Sequence, residues 1–178
     1  MDVINITFQT MTAIHLPLWQ KWIVKPHVKS VWFIKGYEPA DYVHQKIKGN
    51  GYDYPFIIYL NDQPIGYIVC CDLYAYRTYC THPKGLFTNA APGTFCMDLF
   101  IGEETYLNQG YGTKIVKAFA NLVLERFKAN TVLIDPAVSN KRAIRCYEKA
   151  GFQYLRTAHD GVTECYIMAF NKKPEPKY

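Results

Sequence analysis

An aspartate interrupts the apolar run "FCMDLFIG" at position 98. The residues around it read as a strand, where aspartate is disfavoured. A carboxylate there can take a proton from an amine, directly or through water, or hold an ammonium by charge. The plainer reading is an aspartate facing solvent at a sheet edge. A few residues on, "LNQGYGT" (107–113) links that strand to a helix. A helix start exposes backbone N–H groups and the positive end of the helix dipole, so a glycine turn placed there can take an anionic phosphate. Gly110 and Gly112, on either side of Tyr111, let the backbone approach, and Asn108, Gln109, Thr113 and Lys114 can add donors. The same glycines also suit a tight strand-to-helix link, and both readings stand. A dinucleotide fingerprint would place a third glycine at Ile115, and no GxxxxGK[ST] occurs, so both of those nucleotide patterns fall away.

The elements that must position these residues follow from periodicity. "VINITF" (3–8) alternates as a first strand, and "HLPLWQKWI" and "YEPADYVHQKIKG" carry apolar residues at helical spacing with an early proline. Gly49 stops the second of these helices. "YPFIIYL" and "PIGYIVCCD", separated by "NDQ", read as a hairpin. Residues 73–94 read as an irregular loop, and one this long in a compact domain is either functional or misread. The strand 94–101 and a helix over about 112–128 come next, with Ile115, Val116, Phe119, Leu122, Val123 and Phe127 on its buried face. "TVLIDP" is a short buried strand. "SNKRAIRCYEKAG" is a helix capped by Ser139 or Asn140 and ended by Gly151, and "FQYLRTA", "HDG" and "VTECYIMAF" form a closing hairpin. The expected fold is α/β (α+β), a mixed sheet with helices on both faces.

Composition narrows the setting. The chain has 178 residues, 49% hydrophobic and 20% charged, which fits one globular domain over 1–170 and a flexible basic tail over 171–178. The net charge is +5, but the tail supplies three lysines and one glutamate, leaving +3, too little for a phosphate-backbone binder. No apolar run approaches the roughly 20 residues of a membrane span, and "MDVINITFQT" lacks signal-peptide features, so a cytoplasmic protein with no nucleic-acid or membrane partner is expected. Six cysteines without CxxC or paired Cys/His spacing read as reduced and mostly packed inside, with no metal site.

Two segments together carry a resemblance. "LNQGYGT" is similar to the pyrophosphate loop [RQ]xxGxG[AG] of the GNAT acyltransferase superfamily, departing from it at Leu107 and Thr113, and "DPAVSNKRAIRCYEKAGF" resembles that superfamily's strand, Asn-capped helix and tyrosine segment. Within it the chain looks like the aminoglycoside 6'-N-acetyltransferases. "LPLWQKWIVKPHVKSVW" matches their tryptophan-and-"PHV" segment, and "MDLFIGEETYLNQGYGTK" matches their "GIDQFIG" strand and loop. The resemblance implies a GNAT-type, mostly antiparallel twisted sheet.

It also implies direct acetyl transfer from acetyl-CoA to a small-molecule amine, without a metal. Asp98 would be the base, matching the family's "ID" aspartate, and Tyr147 the acid for the departing thiolate. Backbone N–H groups near Leu99, Phe100 and Ile101 would polarise the thioester oxygen. Asn140 would reach the pantetheine arm or simply cap its helix. Trp32 and Asp135 would lie on the substrate side, Asp135 being equally readable as a turn residue. Glu103 and Glu104 read as a solvated bend, and Cys146 as packing.

A site for polycations should be rich in carboxylates. The loop 73–94, expected to overhang the acceptor, contains none and carries Arg77 and Lys84. Its aromatics Tyr74, Tyr76, Tyr79 and Phe87 would form a small core or stack on an acceptor. A siderophore precursor or peptide amine is the alternative acceptor, a non-catalytic acyl-CoA-binding module the alternative role, and either a monomer or a homodimer is compatible.

Overall fold

Residues 4–32 and 40–172 are described in a computed structural model of the chain. The apolar alternation places seven strands in one sheet: β1 (Ile6–Thr10), β2 (Asp53–Leu60), β3 (Gln63–Asp72), β4 (Thr94–Ile101), β5 (Thr131–Ile134), β6 (Gln153–His159) and β7 (Glu164–Asn171). Their order is β1-β2-β3-β4-β5-β7-β6. All neighbours are antiparallel except β4 and β5, which pair only from Thr94–Cys96 to Thr131–Leu133. β4 runs on for five more residues while β5 ends at Ile134, so the strands part and a notch opens between them. The β2–β3 turn is built by Asn61 and Asp62, both at positive φ, a geometry that suits a two-residue hairpin.

Period-2 alternation sorts side chains to two faces. On one face Phe56, Ile58, Ile68 and Met97 pack against Ile115 and Phe119 of α5 (Tyr111–Arg126). On the other, Ile57, Tyr67, Val69 and Phe100 pack against α1 (Leu16–Ile23), α2 (Pro26–Trp32) and α3 (Ala40–Lys48) through Trp19, Trp22, Val28 and Val43. A smaller cluster of Leu73, Leu133 and Ala169 lies on that second face. Val3, residues 37–39 and residues 173–178, which belonged to the expected first strand, second helix and tail, lie outside the described residues.

Two sequence expectations need correction. The segment 73–94 is not irregular throughout, since it begins with a helix, α4 (Leu73–Tyr79), whose start is capped by Asp72 accepting from the Tyr74 and Ala75 N–H groups at 3.0 Å each. Of its aromatics, Phe87 packs on the third cluster while Tyr74 and Tyr79 are exposed. The cysteines are also less buried than expected. Cys70 and Cys165 are inside, and the other four are partly exposed.

The bend at Glu103 is a clasp rather than a solvated turn. Glu103 accepts from Trp22 Nε1 at 2.8 Å, Lys21 Nζ at 3.0 Å and Lys25 Nζ at 2.7 Å. Lys25 also donates to the Gly102 carbonyl at 2.8 Å, and His27 bridges the Ile101 carbonyl and Glu104 at 3.0 and 2.9 Å. Gly102 has to be glycine because a Cβ there would lie 2.2 Å from the Trp22 ring. Burial works to raise the Glu103 pKa, but the hydrogen bonds from Lys25, Trp22 and Lys21 outweigh it and hold the carboxyl at about 2. A carboxylate held below its unfolded value of 4.5 adds stability above that pH and loses it as pH falls through about 2. Glu103→Gln is therefore expected to cost about 1–2 kcal/mol at neutral pH, a fall in Tm of roughly 3–6 °C. Thermal melts across pH should show the deficit closing in the acid range, and an unchanged Tm at pH 7 would deny the clasp its role.

Candidate active site

Helix α6 (Lys141–Ala150) begins where Asn140 Oδ1 accepts from the Ala143 N–H at 3.2 Å and ends at Gly151 in the left-handed region, which settles the cap as Asn140 rather than Ser139. Lying beside α5, it carries Tyr147 to the mouth of the notch. Two cavities meet there. One, of about 740 Å³, opens on the second face of the sheet, and the other, of about 320 Å³, lies between β4, α2, α5 and α6. Val31, Leu99, Asn140 and Tyr147 line both. A group passing from one cavity to the other must pass these four side chains.

Asp98 faces the larger cavity for a reason visible in the strand. Met97 and Leu99 pack on the α5 side and Phe100 under α1–α3, while Cys96 touches the third cluster. Asp98 falls in the gap between the last two clusters and is exposed. Asp135, just past the end of β5, lines the same cavity and is half-buried, as does Trp32, whose ring stands edge-on to Tyr67 and Phe100 at 5.7 and 5.0 Å.

The cavity also holds carboxylates that sequence reasoning missed. Asp53 of β2 is 7% exposed and accepts from Asn50 Nδ2 at 2.8 Å and the Tyr42 hydroxyl at 3.2 Å. Asp160 arrives from the β6–β7 hairpin. The expectation of an acid-poor acceptor wall, drawn from the loop alone, is thus corrected, because four aspartates line the cavity against Lys46 and Lys84.

The smaller cavity is lined by eight of the expected cofactor positions: Leu99, Phe100 and Ile101 on β4, Asn108, Gly110, Gly112 and Thr113 in the turn, and Asn140. Gly110 caps α5 at φ +80° with open space where a side chain would stand, so the helix N-terminus is left uncovered. Gln109, Tyr111 and Lys114 do not line it. Gln109 bonds back to the Thr105 carbonyl, Tyr111 packs on Tyr106, and Lys114 is exposed. Cys146 does line it, 3.6 Å from Thr113 Oγ1.

Arg142, Arg145 and Lys149 were also missed, although their spacing of three and four residues on a helix puts them on one stripe. That stripe and an uncovered helix start suit a phosphate-bearing ligand, and the free β4 edge suits an amide-bearing arm.

Burial pushes the Tyr147 phenol well above its usual pKa, with the charges of Asp98, then Cys146 and Asp135, adding to it. The phenol is therefore held protonated at neutral pH. Among the described residues no group of three or more His, Cys, Asp or Glu is placed to hold a metal ion, and no helix is long and apolar enough to cross a membrane.

The family model of the acetyltransferase (GNAT) domain matches residues 12–159. The chain belongs to the GNAT acetyltransferase family. This GNAT protein is an N-acetyltransferase, 30% identical over 157 residues to the aminoglycoside N(6')-acetyltransferase type 1 of Klebsiella pneumoniae, covering 84% of this chain and 74% of that one. Among solved structures it resembles AAC(6')-Ib in complex with ribostamycin and coenzyme A, with a TM-score of 0.82 and 28% identity over 94% of each chain. It likewise resembles AAC(6')-Ib with coenzyme A and kanamycin, at 0.81 and 27% over 94% of this chain and 95% of that one. The expected sheet, with helices on both faces, is the GNAT architecture these structures share.

Proposed function

We propose that this GNAT acetyltransferase transfers acetyl from acetyl-CoA to the 6'-amine of an aminoglycoside. The observation that carries the reading is the meeting of an aspartate-lined cavity with a basic, phosphate-suited cleft at Tyr147 and Asn140. A polycation is drawn to the first by Asp53, Asp98, Asp135 and Asp160, and a phosphorylated donor to the second by Arg142, Arg145, Lys149 and the α5 start.

Each residue then has a task. Asp98 receives a proton from the bound ammonium, directly or through water, which frees the lone pair that attacks the thioester carbon. Asp135 and Trp32 hold the rest of the acceptor. The backbone of Leu99–Ile101 faces the thioester oxygen and offsets its developing charge. Tyr147 gives its proton to the departing sulfur and regains one from the attacking nitrogen as the amide forms, so the new N–C bond and the broken C–S bond balance with one proton left on Asp98. Bound in the cleft, acetyl-CoA supplies the activated acyl group.

The test is CoA release, followed by thiol detection, with aminoglycosides that have or lack a 6'-amine, alongside lysine, hydroxylysine and peptide amines. Turnover confined to 6'-amino compounds is expected. Activity on amino acids or peptides but none on aminoglycosides would replace the acceptor.

A further inference from the structure

The strand register sets two cysteines side by side in the acceptor cavity. Cys71 of β3 lies directly opposite Cys96 of β4, and cross-strand partners project from the same face of the sheet. Both line the larger cavity and both are partly exposed there. Asp53 is the register partner of Cys71 on β2 and lines the same cavity. Among the described strand pairs no other two cysteines face each other. Directly opposed residues in an antiparallel pair have Cα atoms about 4.5–5.5 Å apart. A disulfide needs about 4.4–6.8 Å. The Cα spacing of such a pair falls within the disulfide range, and both cysteines are free thiols.

We propose that Cys71 and Cys96 form a dithiol modification site, converted by an oxidant of the peroxide class into a cross-strand disulfide that impairs acceptor binding. The effect on turnover rests on the cavity being the acceptor site; formation of the bond does not. One of the two sulfurs takes one oxygen from hydrogen peroxide, the O–O bond breaks, and one water leaves. The other cysteine, as its thiolate, then attacks that sulfur, the S–O bond breaks, the S–S bond forms and a second water leaves. Two thiols lose two electrons and two protons, and one peroxide becomes two waters.

Closing the bridge changes the cavity in two ways. The wall beside Asp53 loses a thiol, and the strand two residues from Asp98 is pinned to β3 by a covalent bond. The smaller cavity is lined by neither cysteine, so the donor side is left alone.

The experiment treats the whole protein with hydrogen peroxide, maps disulfides in unreduced peptides by mass spectrometry, and measures KM for acceptor and for acetyl-CoA before and after dithiothreitol. A Cys71–Cys96 linkage is expected. With it should come a loss of at least tenfold in kcat/KM for the acceptor, an unchanged KM for acetyl-CoA, and recovery on reduction. Cys71→Ser and Cys96→Ser should each keep their own untreated rate through the same exposure. Linkage through other cysteines, or no linkage, overturns the site, whatever the acceptor proves to be. Linkage with full turnover, or equal inactivation of both serine variants, overturns its effect on the acceptor. An inert reduced enzyme with the linkage formed would count against the proposed acceptor and leave the dithiol site supported.

Discussion

Asp98→Asn is expected to lower kcat/KM for the amine acceptor by about 10²–10⁴-fold. Asparagine has the shape of aspartate and keeps a hydrogen-bonding group, so the change removes charge and basicity alone. Asp98 is exposed in the gap between two apolar clusters, and a substitution at such a site shifts stability by only about 0.5 kcal/mol. A large kinetic loss with an unmoved Tm is the signature of chemistry. The pH dependence then separates two ways of losing activity. If Asp98 accepts the proton, raising the pH toward about 10.4, where an alkyl amine sheds its proton unaided, narrows the deficit. If Asp98 only anchors an ammonium, the loss sits in KM and alkaline pH gives no rescue. CoA-release kinetics from pH 6 to 10 decide between these, and turnover within twofold of the parent at every pH would remove Asp98 from the mechanism.

Tyr147→Phe is expected to lower kcat by about 10²-fold while leaving CoA affinity unchanged. The ring still packs near Phe152, whose centroid lies 6.2 Å away, and only the hydroxyl is lost. Burial, followed by the charges of Asp98, Cys146 and Asp135, keeps the phenol protonated throughout the neutral range, the form that a proton donor needs at ordinary assay pH. Its titration lies above that range, and Tyr147 imposes no fall in rate below pH 9. A thioester of a more acidic thiol departs without help and should escape the defect. The measurement is kcat for both donors in parent and variant, with CoA binding by calorimetry. Equal losses with both donors would assign Tyr147 to positioning rather than proton donation.

These residues were legible because their signals are local. Asp98 stands out in an apolar octet, the Asn140 cap and the Gly151 stop delimit one helix, and β4 keeps its expected bounds of 94–101. The short helix after Asp72 was hidden by its length and by the polar loop that follows. Asp53 and Asp160 were not legible as site residues, because they reach the cavity through the β2–β3–β4 register and a hairpin far from it along the chain. The absence of acids from one loop misled for the same reason. A cavity wall is assembled from several elements, and no single segment reports its charge. Trp22 and Glu103, 81 residues apart, looked independent in sequence and share one hydrogen bond in the fold. The basic stripe of α6 was the one missed feature with a local signal, at positions 142, 145 and 149.

The parting of β4 from β5 has a consequence for the protein's behaviour in a crowded cell. Two strands that separate inside a sheet leave an internal edge, a row of backbone groups able to pair with any extended chain. Most sheet proteins keep such edges at their margins and blunt them with charge or short length. Here the edge lies at the centre of the sheet. Asp98 places a charge on this strand, and Asn140 and Tyr147 line the same two cavities as Leu99. An acyl donor bound as proposed, with its amide arm along β4, would cover these backbone groups and leave none for a foreign strand.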